Sequence, residues 1–299
     1  LSPPVKPLLP ALALTLNAFV WGTSWWAFRT LQSDGLHPLW TTVIVYALAV
    51  LAIALLRPRA FVQLLRTPAL WVLMLASGMT NAAFNWGVVI GDVVRVVLLF
   101  YLMPLWAVLL ARVLLNEPLT PAVGLRVLMG LSGAAIVLWP DTAAGTFALP
   151  LPSALPDWLG LVGGFSFAFN NVMLRREARR PEEGRALAMF AGSVLVAGAL
   201  ALALALQSRI AWPPPPAPPW LLLGSALTLL FLASNLALQY GAARLPASVT
   251  SVVMLSEVVF ASVSAVIWGD GRLSAPLLAG GGLIVSAAVL AAWRGSAAH

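Results

Sequence analysis

Residues 100–118 read FYLMPLWAVLLARVLLNEP, and residues 253–270, displaced by 153 positions, read VMLSEVVFASVSAVIWGD. Both are almost unbroken apolar runs that end in a short polar turn. A proline inside a helix removes one backbone hydrogen bond and crowds the preceding turn. Pro104 therefore marks an irregular point in the first run. At the shift of 153, Pro104 falls on Glu257, Tyr101 on Met254, Trp106 on Val259 and Asn116-Glu117 on Gly269-Asp270.

The likeness extends in both directions. Asn85 pairs with Asn235 and Gly91 with Gly241 at a shift of 150, Trp139 with Trp293 at 154, and Trp21–Arg29 with Phe167–Arg175 at 146. Self-similarity over such a distance is the mark of an internal repeat. We expect one half over 8–140, an external loop over 141–157 and a second half over 158–294. Each half holds five apolar segments. An odd number inserts the halves in opposite directions, and inverted repeats place a binding site near the midplane between them.

The 299 residues are 61% hydrophobic and 9% charged, against about 25% charged in soluble domains. A helix spans a bilayer with ~20 apolar residues, and such segments are expected near 10–31, 38–56, 69–90, 93–115, 121–139, 158–175, 186–206, 220–240, 246–268 and 276–293. Pro38, Pro68, Pro121, Pro246 and Pro276 stand where a first helical turn tolerates the missing N–H. The first segment is too long for a signal peptide and lacks a small-residue cleavage site, so it is read as retained. With the N-terminus inside, thirteen of the 17 Lys and Arg residues fall on the cytoplasmic side and four, Arg29, Arg95, Arg209 and Arg272, on the other. That bias predicts cytoplasmic termini. The net charge of +7 thus reports topology and not a nucleic-acid surface.

Polar and large aromatic side chains in mid-segment are the candidates for a cavity wall, because polar groups in a membrane face an interior or water. Trp21 and Trp25 share a face of the first segment with Asn17. Asn81 and Asn85 share one on the third, Asn170 and Asn171 lie inside the sixth, and Asn235 and Gln239 share one on the eighth. Helix-to-helix hydrogen bonding explains such amides equally well. Tyr101 and Met254 precede the two irregular points by one turn. Glu257, an acid at mid-depth, could meet a substrate ammonium, carry a proton or bond to the other half. Pro104 is the candidate hinge, and Asp92 with Arg95 a candidate gate pair. Without cysteine and with His37 and His299 alone, no metal centre or cofactor is expected.

The run Val20-Trp21-Gly22-Thr23-Ser24, the stretch from Leu102-Met103-Pro104 to Asn116-Glu117, and Leu255-Ser256-Glu257 through Gly269-Asp270 resemble the drug/metabolite transporter superfamily. The match is to its ten-helix type with two EamA-like domains. Two departures are Val258, where the pattern often has proline, and Asp270, where it usually has glutamate. The resemblance implies an all-α integral membrane protein, ten transmembrane helices as two inverted five-helix repeats around a central cavity. It further implies a bacterial inner-membrane exporter whose cavity is lined by the first, third, fourth, sixth, eighth and ninth helices. Within the superfamily the chain looks most like exporters of aromatic amino acids. The expected partners are a small-molecule substrate and the lipid bilayer, with the chain acting as a monomer. No paired acids, His cluster or P-loop argues for an enzyme or an ATP-driven pump. A drug exporter and a channel-like pore remain the competing readings, although a pore wants a continuous polar lining.

Overall fold

The computed structural model describes residues 8–91, 93–137, 152, 154–268 and 274–294. Asp92 and the Arg95 side chain, Trp139, Gly269-Asp270, most of the 141–157 loop and Lys6 lie outside the described residues.

The described residues form helices α1 (Leu8–Ser33), α2 (Pro38–Leu56), α3 (Arg59–Arg66), α4 (Pro68–Ile90), α5 (Val93–Phe100), α6 (Met103–Leu114) and α7 (Pro121–Val137) in the first half. The second half holds α8 (Leu155–Arg176), α9 (Glu182–Leu206), α10 (Pro218–Arg244), α11 (Ala247–Met254), α12 (Ser256–Trp268) and α13 (Ala275–Arg294). Every expected segment is mostly helical over its described residues. Among the described residues five helical stretches are long and apolar enough to cross a membrane, and the bent α3–α4 pair makes a sixth. The others are shorter or, like α8 with Asn170, Asn171, Arg175 and Arg176, more polar, so a count of ten full-length spans is not reached. Exposed Leu56, Val113, Leu222 and Leu229 cover the outside of the bundle, as required of a surface that meets lipid.

Proline and polar caps set the helix starts. Pro38 and Pro68 stand in first turns, and His37 caps α2 by accepting the Leu39 N–H at Nδ1, 3.2 Å away. The short α3 was not expected from the sequence. Ala60 and Leu64 bury one face, Phe61, Val62 and Leu65 stay exposed, and the helix turns 98° from α4.

The opening sequence pair proves to be two broken helices. The fourth segment breaks at Tyr101-Leu102 between α5 and α6, and the ninth breaks at Leu255 between α11 and α12. Leu102 and Leu255 are separated by the same 153 residues as the sequence repeat. Pro104 thus does not kink a continuous helix. It occupies the first turn of α6, where its missing N–H leaves no bond unmade. Across the break the bonds shorten in span, with Leu102 N–H on Leu99 O and Leu255 N–H on Val252 O.

Helix pairing repeats when the halves are exchanged. α1 packs on α10 as α8 packs on α4, and α1 on α12 as α8 on α6, while α2 meets α9 and α7 meets α13 across the pseudo-twofold. Close approach depends on missing side chains. A Cβ on Gly192 would run into the Met74 carbonyl between α9 and α4, and one on Gly164 into the Phe100 carbonyl between α8 and α5.

One polar cluster ties the halves at the end of the bundle where α6 stops. Asn116 adopts a left-handed φ of 56°, which a short polar side chain tolerates. Glu117 then reaches across to α11, where its carboxylate accepts the Ala247 N–H at 3.2 Å and also the Ser248 N–H. Beside it, Arg175 Nη1 donates to the Ala243 carbonyl at 2.6 Å, closing the C-terminal end of α10.

Candidate functional site: a cavity between the halves

Between the halves lies a cavity walled by α1, α2, α4, α5, α8, α9, α10, α11 and α12. Its wall has two kinds of surface. The first is aromatic. Phe231 lies at its centre, stacked on Trp21 with ring centroids 4.8 Å apart and met edge-on by Tyr46 at 5.7 Å. Phe190 meets Tyr46 at 5.2 Å, and Phe84, Phe100 and Phe167 form a second group, with Phe84 4.8 Å and Phe167 5.8 Å from Phe100. Such pairs gain about 0.5–1.5 kcal/mol each beyond burial, which makes the wall stiff.

The second surface is amide and hydroxyl. Asn81 Nδ2 donates to the Ser77 carbonyl at 3.0 Å and to Ser193 Oγ at 2.9 Å, and its Oδ1 accepts the Tyr46 hydroxyl at 3.3 Å. Asn17 Nδ2 donates to the Ser234 carbonyl at 2.9 Å and to its hydroxyl at 2.6 Å. Asn235 Nδ2 contacts Met189 Sδ at 3.3 Å and its Oδ1 accepts Gln239 Nε2 at 2.7 Å. Glu257 projects into the same space from the first turn of α12, with the Tyr101 hydroxyl as its side-chain hydrogen-bond partner.

Of the residues singled out in the sequence, Trp21, Asn81, Asn170, Asn235, Met254 and Glu257 line the cavity. Tyr101 is buried behind the wall and reaches it through Glu257. Four others lie off the wall. Trp25 donates its indole N–H to Ser264 Oγ at 2.8 Å, joining α1 to α12. Asn85 donates to Thr42 Oγ1 at 2.7 Å, joining α4 to α2. Asn171 is fully buried and accepts from Asn170 at 3.4 Å, and Gln239 is fully buried behind Asn235. These four hold helices or wall residues in place. Sequence reasoning missed α2 and α9 as walls, with Tyr46, Met189, Phe190 and Ser193. Phenylalanine in an apolar run reads as core, and nothing marks Phe231 as central. Ser77 was open to discovery, since it stands four residues before Asn81 on the same face.

Lipid-facing helices in two interlocked halves around an aromatic and amide cavity define a membrane transporter of small molecules. The chain belongs to the EamA-like transporter family, whose model matches it twice, over residues 8–139 and 154–293. A solved structure described only as the crystal structure of a protein superposes with a TM-score of 0.74 at 23% identity. It covers 94% of this chain and 96% of its own, so the likeness extends to the whole fold. No curated protein sequence matches the chain.

Proposed function

We propose that the protein exports small metabolites, foremost aromatic and other neutral amino acids, across the bacterial inner membrane by alternating access. The observation that carries this reading is the cavity wall, in which the Trp21–Phe231 stack and the Phe84–Phe100–Phe167 group face the Asn17, Asn81, Asn170 and Asn235 amides. Stacked rings accept a flat apolar side chain, and the amides fix its polar end. In this reading Trp21, Asn81, Asn170, Asn235, Met254 and Glu257 touch substrate, while Trp25, Asn85, Tyr101, Asn171 and Gln239 support them. The monomer moves by bending at the two helix breaks beside Pro104 and Leu255, so that the halves rock about the cavity. Both termini face the cytoplasm, following the arginine bias.

The test is uptake of labelled phenylalanine, tryptophan, threonine and alanine into proteoliposomes, with Trp21→Ala beside the parent. Saturable uptake of the aromatic pair, weakened in Trp21→Ala, is expected. Equal uptake of alanine and tryptophan, or none of any amino acid, rules the reading out.

A further inference from the structure

The charge and hydrogen-bonding inventory of the cavity is one-sided. Among the described residues of its wall Glu257 is the one acid, and no Arg, Lys or His stands with it. The buried polar atoms of the wall that lack a partner are Asn17 Oδ1 and Asn170 Oδ1. Both are acceptors. The orientation of Asn17 is fixed, because its Nδ2 is committed to the Ser234 carbonyl, a group that only accepts. Asn170 Nδ2 donates one of its two N–H bonds to Asn171 Oδ1 at 3.4 Å. The buried donors without partners, Trp106 Nε1, Asn171 Nδ2 and Arg185 Nε, do not line the cavity. Arg185 lies one turn along α9 from Met189 and directs Nη1 at the Leu174 carbonyl, 3.5 Å away.

An unpartnered buried acceptor costs free energy until something donates to it, and a carboxylate in an apolar wall gains most from a cation. The missing complement is a group with several N–H donors and a positive charge. A primary ammonium has three N–H bonds and one charge. A carboxylate would find an acid, Glu257, on the wall and no Arg, Lys or His to pair with it. We infer that the cavity recognises the ammonium and the ring of its substrate and does not read a carboxylate, so that aromatic primary amines, the decarboxylated counterparts of aromatic amino acids, are substrates. The inference rests on the proposed aromatic-substrate reading of the same cavity. Its chemistry is a salt bridge from the ammonium to Glu257, with Asn17 Oδ1 and Asn170 Oδ1 as further acceptors along the wall.

The experiment is equilibrium binding to the purified full chain in detergent micelles with three ligands that share one ring. They are phenethylamine, with the ammonium alone, 3-phenylpropionate, with the carboxylate alone, and phenylalanine, with both. Phenethylamine is expected to bind at least as tightly as phenylalanine, and 3-phenylpropionate not to bind. Glu257→Gln, which keeps the side-chain shape, is expected to weaken phenethylamine about tenfold or more. The series on the unaltered protein stands even if that variant does not fold. Phenylalanine binding with phenethylamine more than about tenfold weaker, or binding of 3-phenylpropionate as strong as that of phenethylamine, overturns the inference and leaves the aromatic reading intact. Binding of none of the three overturns both.

Discussion

Replacing Glu117 tests whether the two halves are tied through one carboxylate. Helix α11 begins at Ala247, and its first N–H groups have no partner inside the helix. The Glu117 carboxylate, brought from the other half, accepts two of them, from Ala247 and Ser248. Ala247 is 1% exposed and Ser248 9%, so water does not readily replace the lost acceptor. A buried unsatisfied donor costs about 1–3 kcal/mol and a lost N-cap typically ~1 kcal/mol. Against this, Glu117→Ala relieves the burial of the carboxylate itself. That burial is large enough to push the Glu117 carboxyl above its ordinary range despite the Ala247 N–H, Arg175 and the Ser248 N–H. The net loss is about 1–2 kcal/mol. For a chain of this size it lowers the melting temperature by about 2–3 °C. Thermal melting of detergent-purified parent, Glu117→Ala and Glu117→Gln is the assay. The glutamine keeps one acceptor oxygen and should fall between the other two. A shift of less than about 1 °C in Glu117→Ala refutes the reasoning, because the ends of α6 and α11 would then be held by packing alone.

Other outcomes follow from the same bonds. Because burial raises the folded Glu117 carboxyl above 4.5, the folded state holds that proton more tightly than the unfolded one. The contribution is present at low pH and is lost as pH rises through the window above 4.5, and Glu117→Gln should abolish this part of a stability–pH profile. His37 behaves in the opposite sense. Burial lowers its folded value below 6.5, so acidification through 6.5 costs stability by removing the Nδ1 acceptor of Leu39 N–H, and His37→Asn should flatten the slope below neutrality. Pro104→Ala should change thermal stability by less than about 1 kcal/mol and leave transport in place, since Pro104 makes no bend of its own; loss of transport would return the hinge to the proline. Gly192→Val should prevent α4 and α9 from closing at Met74, at a cost of about 1–3 kcal/mol or more, read as loss of folded protein after membrane extraction.

How far the sequence reached depends on what each feature needed. Apolar runs bounded by proline, glycine and charge located the helical segments, because satisfying a span's backbone is a local requirement. The turn into α3 was invisible, since the eight residues Arg59–Arg66 carry no span-length signal and their helix forms by laying Ala60 and Leu64 on the bundle. The break at Leu255 carries no proline, and the repeat register pointed to it only through Pro104. Helical spacing put Asn81 and Asn85 on one face, yet four residues advance a helix by 400°, about 40° past a full turn. That offset is enough for Asn81 to reach the cavity and Asn85 to reach Thr42 on α2. Trp21 and Trp25 part in the same way, one toward Phe231 and the other toward Ser264. A face read from sequence has the width of a helix side, whereas a cavity wall is narrower.

The two broken helices show why duplication of a fold does not duplicate a site. Their breaks share one register, so the constraint that keeps Leu102 and Leu255 equivalent is architectural: each permits a half-helix to start beside the cavity. The side chains around the breaks have no such constraint. Tyr101 stands where the other half has Met254, and Pro104 where it has Glu257. A perfectly symmetric pair would present two carboxylates or none. Two would repel at close range in a low-dielectric wall, and none would leave no charge to read. The observed pairing places a single acid on one side and, on the other, a tyrosine hydroxyl able to hydrogen-bond it. In the proposed transport reading the pseudo-twofold supplies the motion, and its breakdown at Tyr101 and Glu257 supplies the polarity by which an asymmetric substrate would be held in one orientation.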